Sequence, residues 1–214
     1  MIVLGCAIPS LPNDILEIYC NNGEKKLTPY LSQNELFWLN SLKNKIPSSI
    51  RIKYILSRLL LIHSFKSTKF SFENLIIDRS DMGYSYCNNF AINFSYSENA
   101  AFCAINFGKD ILLGLDAEYI DNSQNISKVR LWTIKESLVK AIKCGLSYNL
   151  NNIKINKNKN NGSINIKNHL LFWKTIPFPN HWCCIATNKT IKTKDIICHW
   201  LNLFNINILQ EKLI

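Results

Sequence analysis

Ile52, Ile55, Leu56, Leu59 and Ile62 recur at three- and four-residue spacing, so one apolar stripe predicts a helix from Ser48 to about Phe65 that must bury a face. Lys53, Tyr54 and Ser57 fall on the opposite face, with Arg51 and Arg58 at the border. A shorter helix from about Glu35 to Lys45 precedes it, announced by the capping-box form Ser32-Gln33-Asn34-Glu35 and stopped by Pro47. After residue 74 the texture changes to short apolar runs between polar turns: Leu75–Ile77, Ala91–Phe94 and Ala100–Ile105. These runs predict strands. The succession then repeats: a strand over Ile111–Glu118, a helix from about Trp132 to Cys144 with Gly145 at the C′ position, a hairpin turning at Asn160–Ser163, and a strand over Trp182–Ala186.

Helix followed by sheet, twice over, predicts an α+β chain of two similar lobes, each a small antiparallel sheet packed with a long helix. The division falls near residues 106–110, giving an N-terminal lobe over 1–107 and a C-terminal lobe over 108–214. A length of 214 residues suits this arrangement, and 47% hydrophobic residues exclude a disordered polar chain. No apolar run approaches the ~20 residues of a membrane span, and Pro9 and Pro12 interrupt a leader-like start. The eight cysteines include no Cys-x-x-Cys pair and read as reduced, mostly buried thiols, which together place the protein in the cytoplasm. The net charge of +10 favours a polyanionic partner without choosing among nucleic acid, a phosphorylated small molecule and an acidic protein.

Side chains alternate along a strand, so Asp116 and Glu118 share a face about 7 Å apart, from a rise of ~3.3–3.4 Å per residue. Glu136 lies on the following helix with Lys140 four residues later on the same side. Three carboxylates beside lysines suit a hard cation such as Mg²⁺ holding a phosphate. The plain alternative is a pair of surface acids and an ordinary i,i+4 pair worth ~0.3–0.5 kcal/mol.

The wording around these residues goes further. Gly114-Leu115-Asp116-Ala117-Glu118, followed by Trp132-Thr133-Ile134-Lys135-Glu136-Ser137-Leu138-Val139-Lys140 and Gly145-Leu146, resembles the two signature blocks of the Sfp-type 4′-phosphopantetheinyl transferases, G-[IVL]-D-x-E and W-[ST]-x-K-E-[AS]-x-x-K. Weaker similarity extends over residues 32–190: Ile92–Ser97 resembles the family's F-N-[IVL]-S-H-S strand and Met82-Gly83-Tyr84 its G-K-P turn. The resemblance implies that fold as a pseudo-twofold pair of lobes. It implies a Mg²⁺-dependent enzyme, a holo-acyl-carrier-protein synthase, that moves the 4′-phosphopantetheine arm of coenzyme A to a serine of an apo acyl or peptidyl carrier protein and releases 3′,5′-ADP. Asp116, Glu118 and Glu136 would then hold Mg²⁺, Glu136 would serve as base and Lys140 would meet the leaving group. Lys53, Tyr84, Ser95 and Tyr96 would line the coenzyme A site, and Trp132 and Lys135 would fix the helix.

Tyr96 stands where the family commonly has His, and Tyr84 where it has Lys, and the segment between Glu118 and Trp132 is shorter than usual. A degenerate relative that only binds a carrier or coenzyme A is therefore the alternative reading, with a metal-dependent nuclease behind it. The nuclease reading wants a lysine two residues past the second acid, where this chain has Ile120. Expected partners are coenzyme A and an acidic carrier, with no nucleic acid and no membrane, for a chain acting as a monomer. His63, His169, His181 and His199 show no mutual pattern and read as structural.

Overall fold

The computed structural model describes residues 1–66, 75–108, 110–121, 125–145, 148–156 and 159–206. A first strand, β1 (Ile2–Ala7), leads to three helices: α1 (Asn13–Leu27), α2 (Gln33–Ser41) and α3 (Ser48–Lys66). A small ribbon of β2 (Asp78–Arg79) and β3 (Ser85–Tyr86) precedes the hairpin of β4 (Phe90–Ser97) and β5 (Ala100–Phe107). The second half runs β6 (Leu113–Tyr119), α4 (Ile126–Ala141), β7 (Asn161–Ile166), β8 (His169–Phe178), β9 (His181–Thr187) and β10 (Ile197–Asn202). No described helix is long and apolar enough to cross a membrane.

Two four-stranded sheets result, in the orders β10-β1-β5-β4 and β6-β9-β8-β7. Each contains the same unit. A strand (β1 or β6) is followed by a helix (α3 or α4) and then by a hairpin (β4–β5 or β8–β9), whose second strand returns antiparallel to the first. The chain is thus α+β with two similar lobes, and the repeated unit is strand, helix, hairpin. Between the described strands the pairings are antiparallel except β1 with β10. The strand β10 lies on the far side of the expected 107–108 boundary and yet pairs with β1, held there also by the Met1 ammonium donating to the Asp195 carbonyl (2.9 Å).

Local chemistry accounts for the elements and for the differences. Ser32 caps α2 by accepting from Glu35 N (3.2 Å). The reciprocal half of the capping box is missing, because Ser32 N donates to the Ile77 carbonyl and the Glu35 carboxylate turns inward to two arginines. The α3 stripe proves too narrow a description: Ser57, Arg51 and Arg58 are all buried, Arg51 against Glu17 and Glu24 of α1, and Ser57 and Arg58 against Tyr96 of β4 and Glu35 of α2. The second-lobe hairpin turns at Lys167 and Asn168, both left-handed (φ 47° and 65°), and not at Asn160–Ser163, which opens β7. At the end of α4 it is Lys143 (φ 53°), not Gly145, that takes the C′ position: Lys143 N donates to Lys140 O and Cys144 N to Val139 O, the two bonds of a Schellman motif. Burial pushes the thiols of Cys6, Cys20, Cys87 and Cys184 up to about 12, so they fill the core as neutral groups.

Candidate active site

Gly114 sets the depth of the site. A Cβ there would overlap the backbone carbonyl of Ser137 and the amide of Ala141, so only glycine lets α4 lie directly on β6. Two residues further along β6, Asp116 is buried opposite Cys184, and Glu118 stands opposite Trp182 on the same face. Across from them α4 presents Glu136 and Lys140. The Lys140 ammonium lies 2.6 Å from Asp116 Oδ1. Ser95, buried on β4, donates to the same Oδ1 (3.2 Å) and accepts from Ala117 N (3.1 Å), while Asn93 Oδ1 accepts from Leu115 N (3.0 Å). Side chains of the first lobe therefore satisfy the edge of β6, and the acidic group sits on the seam between lobes.

The helix α4 begins at Ile126, six residues before the expected Trp132, because Asn125 caps it by accepting from Lys128 N (3.2 Å). Half of the stretch 119–131 is therefore helix, and its residues 122–124 lie outside the described residues, as do Leu146 and Ser147. Trp132 is not the core residue its type suggests. It is 48% exposed and donates from Nε1 to Glu118 Oε1 (3.1 Å), so it touches the acidic group directly.

Asp116 acts on both glutamates. Burial first, and then Asp116, pushes Glu118 above the ordinary carboxylate range, against the Trp132 hydrogen bond and Lys140, with Glu136 adding to the push. Glu136 is raised by burial and by Asp116, with Lys140 opposing. Asp116 Oδ2 and Glu136 Oε1 are buried without a hydrogen-bond partner. Among the described residues, no three acidic, His or Cys groups stand closed as a ready-made ligand cage. Lys140 and Trp132 instead occupy one oxygen each of Asp116 and Glu118. The donor set nevertheless suits Mg²⁺: hard oxygens only, two of them buried and unpaired, beside room for phosphate and water to complete the shell.

A cleft of about 210 Å³ opens beside this group, lined by Trp38, Arg58, Arg79, Tyr84, Tyr96 and Lys140 among others. Tyr84 donates its hydroxyl to the Lys143 carbonyl (3.1 Å), tying the turn after β2 to the end of α4. Tyr96 accepts from Arg58 Nη1 (2.5 Å). A second cavity, about 470 Å³, borders Glu118, Trp132, Lys128 and Glu98. Lys53 lines neither. It is half-buried on α3, where burial lowers its pKa and the nearby Glu98 carboxylate opposes the shift. Tyr84, Tyr96 and Lys140 thus come together, Ser95 joins Asp116 in the seam, and Lys53 stands apart.

These observations meet a family description. The sequence model of the 4′-phosphopantetheinyl transferase superfamily matches residues 97–195, which span β6, α4 and the acidic group. Over those residues, a little under half of the chain, the sequence is similar to that superfamily. No curated protein is similar enough to register as a match. Of the first lobe the superfamily match takes in only residues 97–107, and ahead of it the sequence reading missed Arg58, Arg79 and Glu35. Arg58 read as a border residue of α3 and Glu35 as half of a capping box. The one signal that could have pointed to them was the absence of a cation at Tyr84 and Tyr96. His181 is buried against Phe102, Tyr119 and Trp200, with Nδ1 at 2.8 Å from the Pro179 carbonyl, and has no place in the site.

Proposed function

We propose that the protein transfers the 4′-phosphopantetheine arm of coenzyme A to a serine hydroxyl of an apo acyl or peptidyl carrier protein, releasing 3′,5′-ADP, with Mg²⁺ held by Asp116, Glu118 and Glu136. The observation that carries this reading is the convergence of three carboxylates on facing surfaces of β6 and α4, with Glu118 and Glu136 raised by burial and by Asp116, beside a basic cleft and within the matched residues. When bound, Mg²⁺ neutralises the pyrophosphate and makes the reacting phosphorus easier to attack.

The remaining work belongs to the chain's own groups. The serine oxygen forms a bond to the phosphorus bearing the pantetheine arm as the bond to the 3′,5′-ADP oxygen breaks, and the serine proton must leave. Glu136 is placed to take it: burial and Asp116 raise its affinity for a proton above that of an ordinary carboxylate, which brings it closer to the strength a general base needs near neutral pH. Lys140 lies at the junction of the acidic group and the basic cleft, where its ammonium can offset charge growing on the departing nucleotide. Ser95 fixes the Asp116 rotamer through its hydrogen bond. The larger cavity offers the apolar wall of Trp132, Val129 and Tyr119 for the pantetheine arm, with Lys128 beside it.

The test is intact-mass analysis of an apo carrier protein incubated with the purified chain, coenzyme A and Mg²⁺. A gain of one phosphopantetheine on the carrier, lost on chelation, supports the reading; no gain across acyl and peptidyl carriers refutes it.

A further inference from the structure

Away from the acidic group, β10 packs on the second sheet as well as beside β1, and each of the two facing strands brings a thiol to that contact. Side chains 181, 183 and 185 of β9 and 196, 198 and 200 of β10 point into the layer between the sheets. Cys183 and Ile185 belong to its core, Ile196 and Trp200 pack against that core, and alternation along β10 puts Cys198 between them. The register agrees, because Cys198 pairs with Val3 of β1, which is buried in the same layer. Two contacts fix how the strands face each other. At one end the rings of His181 and Trp200 lie 5.6 Å apart, and at the other Thr187 and Ile196 border one cavity of about 410 Å³. The two strands therefore run in opposite directions across the layer. Counting inward from both ends sets Cys183 opposite Cys198.

The thiols act on each other: burial first, then Cys184, Asp116 and Cys198, raises the Cys183 thiol well above its ordinary value. Burial also raises the Cys198 thiol, and the Lys174 ammonium opposes the shift. Lys174 pairs with Ile185 in the second sheet and donates to Thr193 Oγ1, which places it over the start of β10. Both thiols are free; Cys198 is exposed and Cys183 is buried. A thiol open to solvent with a second one behind it is the arrangement of an attacking and a resolving cysteine. Facing sheets lie about 10 Å apart on average, whereas a disulfide joins Cα atoms about 4.4–6.8 Å apart. Small side chains thin this layer, since Ala100, Ala104 and Ala117 fill it beside Cys183. We infer that Cys183 and Cys198 form a reversible disulfide at the expense of a small disulfide such as oxidised glutathione, stapling β10 to β9. The Cys198 thiolate attacks one sulfur of the small disulfide and expels one thiol. Cys183 gives up its proton and attacks the Cys198 sulfur of the mixed disulfide, expelling the second thiol. Two protein thiols are oxidised, and one small disulfide is reduced to two thiols. The inference uses no residue of the acidic group and holds whatever reaction that group performs.

The reduced, folded chain incubated with oxidised glutathione, then alkylated and weighed intact, tests the inference. Two of the eight thiols should escape alkylation, and a peptide map should join the Cys198 peptide to the one containing Cys183 and Cys184. Dithiothreitol should restore both thiols. Cys184 belongs to the core on the α4 side of the second sheet, so Cys184→Ala should still form the link. Cys183→Ala should stop at a glutathione adduct on Cys198, and Cys198→Ser should form neither adduct nor link at this place. The linked chain should melt roughly 5–10 °C above the reduced one, because closing a loop of about 15 residues restricts the unfolded chain. The wild-type map decides the matter even where a variant fails to fold. Eight alkylated thiols after the incubation overturn the inference, as do a lasting glutathione adduct on wild-type Cys198 and a link between two chains. A linked chain that melts below the reduced one overturns the staple.

Discussion

Glu136 carries opposite consequences for stability and for chemistry. Its pKa is raised in the folded chain, as is that of Glu118, by burial and by Asp116. A carboxylate whose folded pKa lies above its unfolded value of about 4.3 contributes stability that is fully present below that value. That contribution is lost as pH rises through the raised folded value. At neutral pH the metal-free protein therefore holds ionised groups at a cost. Glu136→Gln should melt at a higher temperature than the wild type at pH 7–8 when both are metal-free, with the advantage shrinking toward pH 4. The same substitution should lower transfer by about 10²–10⁴-fold, the range expected for loss of a general base. Added Mg²⁺ should raise the melting temperature of the wild type more than that of the variant. Full activity in Glu136→Gln would remove Glu136 from the site. Lys140→Ala should also cost turnover, because the ammonium it removes lies 2.6 Å from Asp116 and on the wall of the cleft.

At the scale of elements, the seating of α4 on β6 decides whether these side chains meet. Gly114→Ala would drive a methyl group into the backbone of Ser137 and Ala141, and a backbone cannot yield as a flexible side chain does. The expected loss is about 1–3 kcal/mol or more from overpacking, accompanied by loss of the Asp116–Lys140 contact, readable by denaturant titration. Lys143→Gly makes the contrasting case. Lys143 adopts φ 53° at the helix end, a conformation costing a non-glycine residue about 1–2 kcal/mol, and the Tyr84 bond it receives goes to its backbone carbonyl. The variant should gain up to about 1 kcal/mol with transfer unaltered; destabilisation would show that the Lys143 side chain matters in a way its geometry does not suggest. These two positions also mark what the sequence made legible. The helices α2, α3 and α4 and the strands β4, β5, β6 and β9 could be read because each has a local pattern or cap. The strand β1 could not, because Ile2–Cys6 is buried on both faces and shows no alternation. Nor could α1, whose Asn21, Asn22 and Gly23 blur its period. The Lys167–Asn168 turn lost to the stronger Asn-Gly signal at 161–162, since two left-handed residues without glycine leave little trace in sequence.

For the molecule as a whole, what the sequence concealed is long-range: β10 returning to β1, its Trp200 packed on Phe102, Phe178 and His181 of the other strands, and the Glu35–Arg58–Arg79 cluster drawn from three separate elements. The acidic group was legible because its members sit within two short motifs on adjoining elements. The net charge of +10 belongs to this scale too, and it separates two kinds of binding. In the proposed transfer an acidic carrier would meet exposed lysines such as Lys128 at the rim of the larger cavity, and exposed charges are screened as the Debye length falls from ~10 Å at 0.1 M salt to ~3 Å at 1 M. In the proposed transfer coenzyme A would instead enter the cleft lined by Arg58 and Arg79, both largely buried and held by Glu35, where salt penetrates less. Raising salt should therefore increase the apparent KM for the carrier severalfold while changing KM for coenzyme A less, and leave kcat at saturation nearly unaltered. Initial rates at several salt concentrations, with each substrate varied in turn, measure all three. Should carrier affinity ignore salt while duplex nucleic acid binds with a steep salt slope, the positive charge serves a different polyanion and the carrier loses its place as the partner of this surface.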